Sequence, residues 1–93
     1  MKPLVSVICV CYNHERFVAE ALDSVRAQTY PNIELIIVDD GSADQSAQEI
    51  EKWISQNPKA KFLNLKTNHG YCKAFNLALG EAKGEFIIDF ATD

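Results

Sequence analysis

The sequence predicts an α/β fold, a three-layer, mostly parallel Rossmann-like sheet built in the order β-α-β-α-β-α-β. Three observations carry this. Four short apolar runs alternate with three stretches in which apolar residues recur at helical spacing. The runs are nearly continuous in apolar character, as in strands buried on both faces. The polar clusters follow the runs directly, at the carboxyl edge where open α/β sheets bind ligands.

Taken in order, Leu4 to Val10 is a β-branched run too short for a helix. Residues 14 to 28 place Phe17, Val18, Ala21, Leu22 and Val25 on one helical stripe, and Tyr30-Pro31-Asn32 breaks the chain. Ile33 to Val38 is a second strand. Asp40-Gly41-Ser42 is a turn able to start a helix, with Ala43, Ala47, Ile50 and Ile54 as its stripe and Asn57-Pro58 as its stop. Lys61 to Leu65 is a third, weaker strand. After the Asn68-His69-Gly70 loop, Tyr71, Ala74, Phe75, Ala78, Leu79 and Ala82 form the third stripe, ended near Gly84. Phe86 to Phe90 is the fourth strand. Right-handed crossovers join these into a doubly wound sheet. No internal repeat or low-complexity segment interrupts the pattern.

The bulk properties narrow the function. With 93 residues the chain forms one domain, 1–93. It carries 9 basic and 13 acidic residues, net charge −4, which argues against non-specific nucleic-acid binding. That balance leaves room for a phosphate-bearing ligand held by a few local donors or a metal. Three cysteines, Cys9, Cys11 and Cys72, make a poor disulfide framework and read as reduced, cytosolic thiols. Neither a signal peptide nor a membrane-spanning run is legible. The expected location is cytoplasmic, extending to peripheral association with the cytoplasmic membrane face in a full-length protein.

Four clusters fall on the carboxyl edge. In Val38-Asp39-Asp40-Gly41-Ser42, adjacent carboxylates end an apolar strand. They could accept hydrogen bonds from a base N–H or ribose hydroxyl, bind a hard metal, or cap a helix N-terminus. Tyr12-Asn13 offers an aromatic face and an amide after the first strand, either a stacking platform or a rim of the core. Asn68-His69-Gly70 opens the third helix, with Lys73 one turn in and Asn76 beyond it. That is an anion-favouring helix start or a capped helix with a solvated lysine. His69 reads as a loop histidine rather than a metal ligand. Asp93 follows Ala91-Thr92 past the fourth strand, placed for Mg²⁺ or Mn²⁺ held jointly with phosphates, or a frayed terminal residue. No nucleophile–histidine set and no G-x-G-x-x-G after the first strand are present.

These residues resemble the N-terminal part of the GT-A fold glycosyltransferases of family 2. The likeness runs through Val5-Ser6-Val7-Ile8, Tyr12-Asn13, Ala21-Leu22-Asp23-Ser24-Val25 and Gln28-Thr29-Tyr30-Pro31-Asn32-Ile33-Glu34. It continues through Ile37-Val38-Asp39-Asp40-Gly41-Ser42-Ala43-Asp44, Asn68-His69-Gly70 with Asn76, and Gly84-Glu85-Phe86-Ile87. The resemblance implies that Tyr12 stacks on or flanks the base, that Asp40 with Asp39 binds base or ribose, and that Asn13, Lys73 and Asn76 lie at the nucleotide. It aligns Asp93 with the second acidic position of the D-x-D motif, which holds a divalent metal, Mg²⁺ or Mn²⁺, against the diphosphate. Ala91 stands at the first position, and Val10-Cys11 replaces the usual Pro-Thr after the first strand.

The resemblance also implies the reaction: transfer of a sugar from a nucleotide-diphosphate sugar, a UDP-sugar by preference, to a hydroxyl on a glycan, lipid-linked or other acceptor. The expected general base lies beyond Asp93, so the expectation is a nucleotide-binding half that stops at its metal motif and is inactive alone. A non-catalytic nucleotide-binding or interaction module is the alternative. A sugar-nucleotide pyrophosphorylase would need a Gly-rich basic loop where Cys11 to Arg16 stands, and a phospho-receiver domain would carry its acidic pair after the first strand. An uncovered sheet edge leads to an expectation of self-association.

Overall fold

The computed structural model describes residues 3–27 and 32–91. Seven elements alternate along it: β1 (Val5–Cys11), α1 (Val18–Arg26), β2 (Ile33–Asp39), α2 (Ser46–Ser55), β3 (Lys61–Asn64), α3 (Tyr71–Glu81) and β4 (Phe86–Ala91). The sheet order is β3-β2-β1-β4, with every neighbouring pair parallel. The predicted α/β class and element order are borne out.

The layers follow from handedness. The first two crossovers step the same way across the sheet, so right-handedness puts α1 and α2 on one face. The third steps back over β2 and β1 to reach β4, which puts α3 on the other. The pleat then sorts side chains by parity. Val7, Cys9, Cys11 and Ile37 join Val18, Leu22, Val25, Ile50 and Trp53 beneath α1 and α2. Ile8, Val10, Ile36 and Val38 join Ala74 and Ala78 beneath α3. Two alanines at i and i+4 let α3 lie close on the sheet.

Some boundaries depart from the sequence expectation. The first helix starts at Val18, not near residue 14, because the preceding backbone is used elsewhere. The His14 N–H donates to Ser46 Oγ (2.8 Å) and the Glu15 N–H to Asp44 Oδ2 (3.2 Å). Phe17, expected on the core stripe, sits at the helix boundary and is exposed. Tyr71 and Leu79 are likewise exposed, so the fully buried part of the α3 stripe is Ala74 and Ala78, with Phe75 and Ala82 partly buried against it. Cys9 and Cys11 are buried on one face of β1, and all three cysteines are free. Burial, with Cys11 and Asp89 nearby, pushes the Cys9 thiol far above its ordinary value, so it is not a nucleophile. Among the described residues no helix is long and apolar enough to cross a membrane.

The amino-terminal edge of the sheet is closed by a polar knot. Ser6, fully buried, donates its hydroxyl to Glu34 Oε1 (2.7 Å) and accepts from the Gly84 N–H (2.9 Å). Glu34 also accepts from the Lys83 N–H (2.9 Å) and pairs with Lys61 (3.3 Å). Gly84 is required here, since a Cβ would stand 2.5 Å from Ser6 Oγ and 2.7 Å from its backbone nitrogen. Burial pushes the Glu34 carboxyl up, but the Lys83 N–H, the Ser6 hydroxyl and the Lys61 ammonium outweigh it and hold it below its ordinary 4.5. Its contribution is therefore present above the unfolded-state value and lost as pH falls through the lower folded one. Melting temperatures should drop as the pH is taken below about 4.5. Glu34→Gln should lower the neutral-pH melting temperature and flatten that acid limb; an unchanged profile would show that the knot contributes nothing.

Candidate functional site

The carboxyl edge carries two polar systems, separated by the same parity that sorts the core. Odd-numbered residues at the end of β2 turn toward α1 and α2. Asp39, buried, accepts the Ser42 N–H (3.0 Å) and hydroxyl (2.6 Å). Ser42 Oγ accepts the Asn13 N–H (2.9 Å), and Asn13 Oδ1 accepts the Ala43 N–H (2.8 Å). Asn13 takes φ 53°, a left-handed geometry that asparagine tolerates better than most residues. Asp44 then holds the Ser46 N–H (2.9 Å) and hydroxyl (2.6 Å) at the start of α2. Burial raises the Asp44 carboxyl, but the bonds from Ser46 and the Glu15 N–H leave it below its ordinary 3.8. This lattice ties the loop after β1 to the loop after β2.

Even-numbered residues turn toward α3. Asp40 is 2% exposed and lies beyond Val38 on that face. Its Oδ1 accepts the His69 N–H (2.7 Å) and its Oδ2 the Gly70 N–H (3.0 Å), the two residues that lead into α3. Its carbonyl accepts from Asn68 Nδ2 (3.3 Å). The carboxylate is thus an internal anion at a helix start, where the dipole favours negative charge. Those two N–H groups are not offered to a ligand phosphate. Each carboxylate oxygen retains further acceptor capacity.

Between these loops opens a cleft of about 310 Å³, lined by Val10, Tyr12, His14, Asp40, Asn68, Gly70 and Tyr71. That is the lower end of the range for small-molecule sites. Of the six nucleotide-site residues expected from sequence, the structure brings Tyr12 and Asp40 into it. Asp39 and Asn13 are engaged in the neighbouring lattice. Lys73 and Asn76 are exposed on α3, two and five residues on from Tyr71, and do not line the cleft. Asp93 lies outside the described residues. His14 and Tyr71 were missed as lining residues. Strand parity predicts Tyr12 and Asp40, but not a loop residue re-aimed by the left-handed Asn13. Among the described residues no group of three or more His, Cys, Asp or Glu could hold a metal.

The glycosyl transferase family 2 model matches residues 6–91. The chain belongs to that family. Over its whole length it is 36% identical to the glycosyltransferase GlyG of Streptococcus pneumoniae, of which it covers 31%. Among solved structures it is similar to S. aureus TarS 1-349 in complex with UDP-GlcNAc. The TM-score there is 0.84 and the identity 38%, covering 100% of this chain and 27% of that one. It is also similar to the mannosyltransferase PcManGT from Pyrobaculum calidifontis in complex with GDP-Man and Mn²⁺. That match has TM-score 0.82 and 30% identity, over 94% of this chain and 26% of the other. The chain therefore spans about a third or less of each of these relatives. This family 2 chain carries the GT-A architecture expected of it, with its cleft at the carboxyl end of β1 and β2, next to the point where the strand order reverses between β1 and β4.

Proposed function

We propose that this chain supplies the nucleotide-binding half for transfer of a sugar from a nucleotide-diphosphate sugar to an acceptor hydroxyl. The observation that carries this reading is the convergence of Tyr12 and Asp40 on one cleft at the carboxyl edge. Tyr12 is 44% exposed, with a ring available for stacking on a base. Asp40 is pinned by two backbone N–H groups and keeps acceptor capacity for a base N–H or a ribose hydroxyl. A cleft of about 310 Å³ suits a nucleoside rather than a whole sugar nucleotide. The diphosphate and sugar would then extend toward the end of β4. Support for a uridine nucleotide comes from the TarS complex with UDP-GlcNAc.

A divalent metal supplies, when bound, Lewis-acid neutralisation of the diphosphate leaving group. Its proposed ligand here is Asp93, with support from the Mn²⁺ in the mannosyltransferase complex. The described residues by themselves assemble no such set. Asp39 and Asn13 act in this reading by fixing the loops that carry Asp40 and Tyr12, not by touching the nucleotide.

The test is a titration of the protein with UDP, GDP and dTDP, with and without Mn²⁺. UDP should bind, more tightly with Mn²⁺. Tyr12→Ala should weaken it roughly tenfold, the scale of one base–aromatic stack. The reading fails if no nucleotide binds, or if Tyr12→Ala leaves UDP affinity unchanged.

A further inference from the structure

Tyr71, like His14, lines the cleft without a role in the sequence motifs. It is the first residue of α3, directly after Gly70 with φ 92°. Its ring lies nearly parallel to that of Phe75, with 6.3 Å between centroids and 12° between planes. Its hydroxyl donates to Asp89 Oδ1. Asp89 sits mid-strand in β4, paired in register with Ile8, so parity puts it on the α3 face of the sheet. Its neighbours in the strand, Ile87, Ile88 and Phe90, are all apolar. A lone carboxylate among them, meeting the phenol from α3, ties the helix start to the edge strand across the end of β1. Tyr71 is 46% exposed, and its ring is fixed by Phe75 and by this tie.

We propose that Asp89 and Tyr71 form a positioning pair for the nucleotide, with Asp89 holding the Tyr71 ring as a fixed second aromatic wall of the cleft. This rests on the nucleotide-binding reading above. Phe75 supports one face of the ring and Asp89 anchors its far end. The ring is thus ordered before a ligand arrives, and that ordering is not charged against binding. Asp89 acts only through Tyr71 and is a positioning residue. Tyr71 makes the contact.

A double-mutant cycle on nucleotide affinity, read by chemical-shift titration with UDP and with ribose 5-phosphate, tests the pair. Tyr71→Phe and Asp89→Ala should each weaken UDP binding by roughly threefold, as expected for loss of one orienting hydrogen bond. The double variant should be no weaker than either single one, because both remove the same bond. Tyr71→Ala, at an exposed site with little consequence for folding, should cost UDP roughly tenfold. Ribose 5-phosphate, which has no base, should bind all variants alike. Additive losses, equal losses for ribose 5-phosphate, or UDP affinity unmoved by Asp89→Ala and Tyr71→Phe would each overturn the pair while leaving the nucleotide reading intact. Failure of the unaltered protein to bind UDP would overturn that reading, and the pair with it.

Discussion

Asp40→Ala should both abolish nucleotide binding and destabilise the fold by about 3 kcal/mol, because the carboxylate is a structural anion as well as the proposed ligand group. It is buried and accepts the His69 and Gly70 N–H groups at 2.7 and 3.0 Å. Hydrogen bonds to a charged group each contribute roughly 1.5–3 kcal/mol, and the two N–H donors would be left without their acceptor. For a chain of this size that corresponds to a fall in melting temperature of more than about 10 °C. Asp40→Asn separates the two roles. Its amide oxygen can still accept one N–H, while its NH₂ faces the other donor. Stability should fall less than in the alanine variant, and UDP affinity should still be lost. A melting temperature within a degree or two of the parent for Asp40→Ala would show that the loop before α3 does not depend on this carboxylate.

This double duty marks where sequence reasoning stops. The alternation of apolar runs fixed class, element order and the carboxyl edge, because strand and helix periodicity are local properties. The acidic pair at the end of β2 could be read as a ligand site or as a cap, and the residue types do not choose between them. The pleat chooses. Asp39 turns toward α1 and α2 and caps its own turn through Ser42; Asp40 turns toward α3 and caps the start of a helix some thirty residues on. Neither partner of Asp40 is visible from local spacing. The same holds for Ser6, Glu34 and Gly84. They stand within the motifs that carry the family resemblance, yet they close the opposite edge of the sheet and do not approach the cleft. Lys73 and Asn76 are different again: charge and polarity near a helix start suggested a ligand, and both are exposed on α3 without lining this cleft.

Gly41→Ala should be the more damaging of the two changes at this edge, costing about 4 kcal/mol or more and disturbing the cleft without removing any polar group. Gly41 has φ +71°, a geometry that a residue with a Cβ adopts only with strain. The space is also closed. A Cβ would stand 2.3 Å from the Thr67 carbonyl carbon and 2.4 Å from the Asn68 nitrogen, both backbone atoms that cannot rotate aside. Relief requires the 67–70 loop to move away from the end of β2. That is the loop whose N–H groups Asp40 holds, so the displacement would lengthen both of its hydrogen bonds and shift Asn68 and Gly70 in the cleft wall. Losses of this size have few sources in a folded protein, and backbone overlap at a positive φ is one of them. The expected signature is a sharply lowered midpoint in urea, together with amide shift changes at His69 and Gly70 and loss of UDP binding. Ala43, two residues on, is exposed and donates only its backbone N–H, to Asn13, so Ala43→Ser should leave both midpoint and binding near those of the parent. A Gly41→Ala variant as stable as the parent would mean that the β2 and β3 loops do not approach as closely as the 2.3 Å overlap requires. The account of Asp40 as the clasp between them would fall with it.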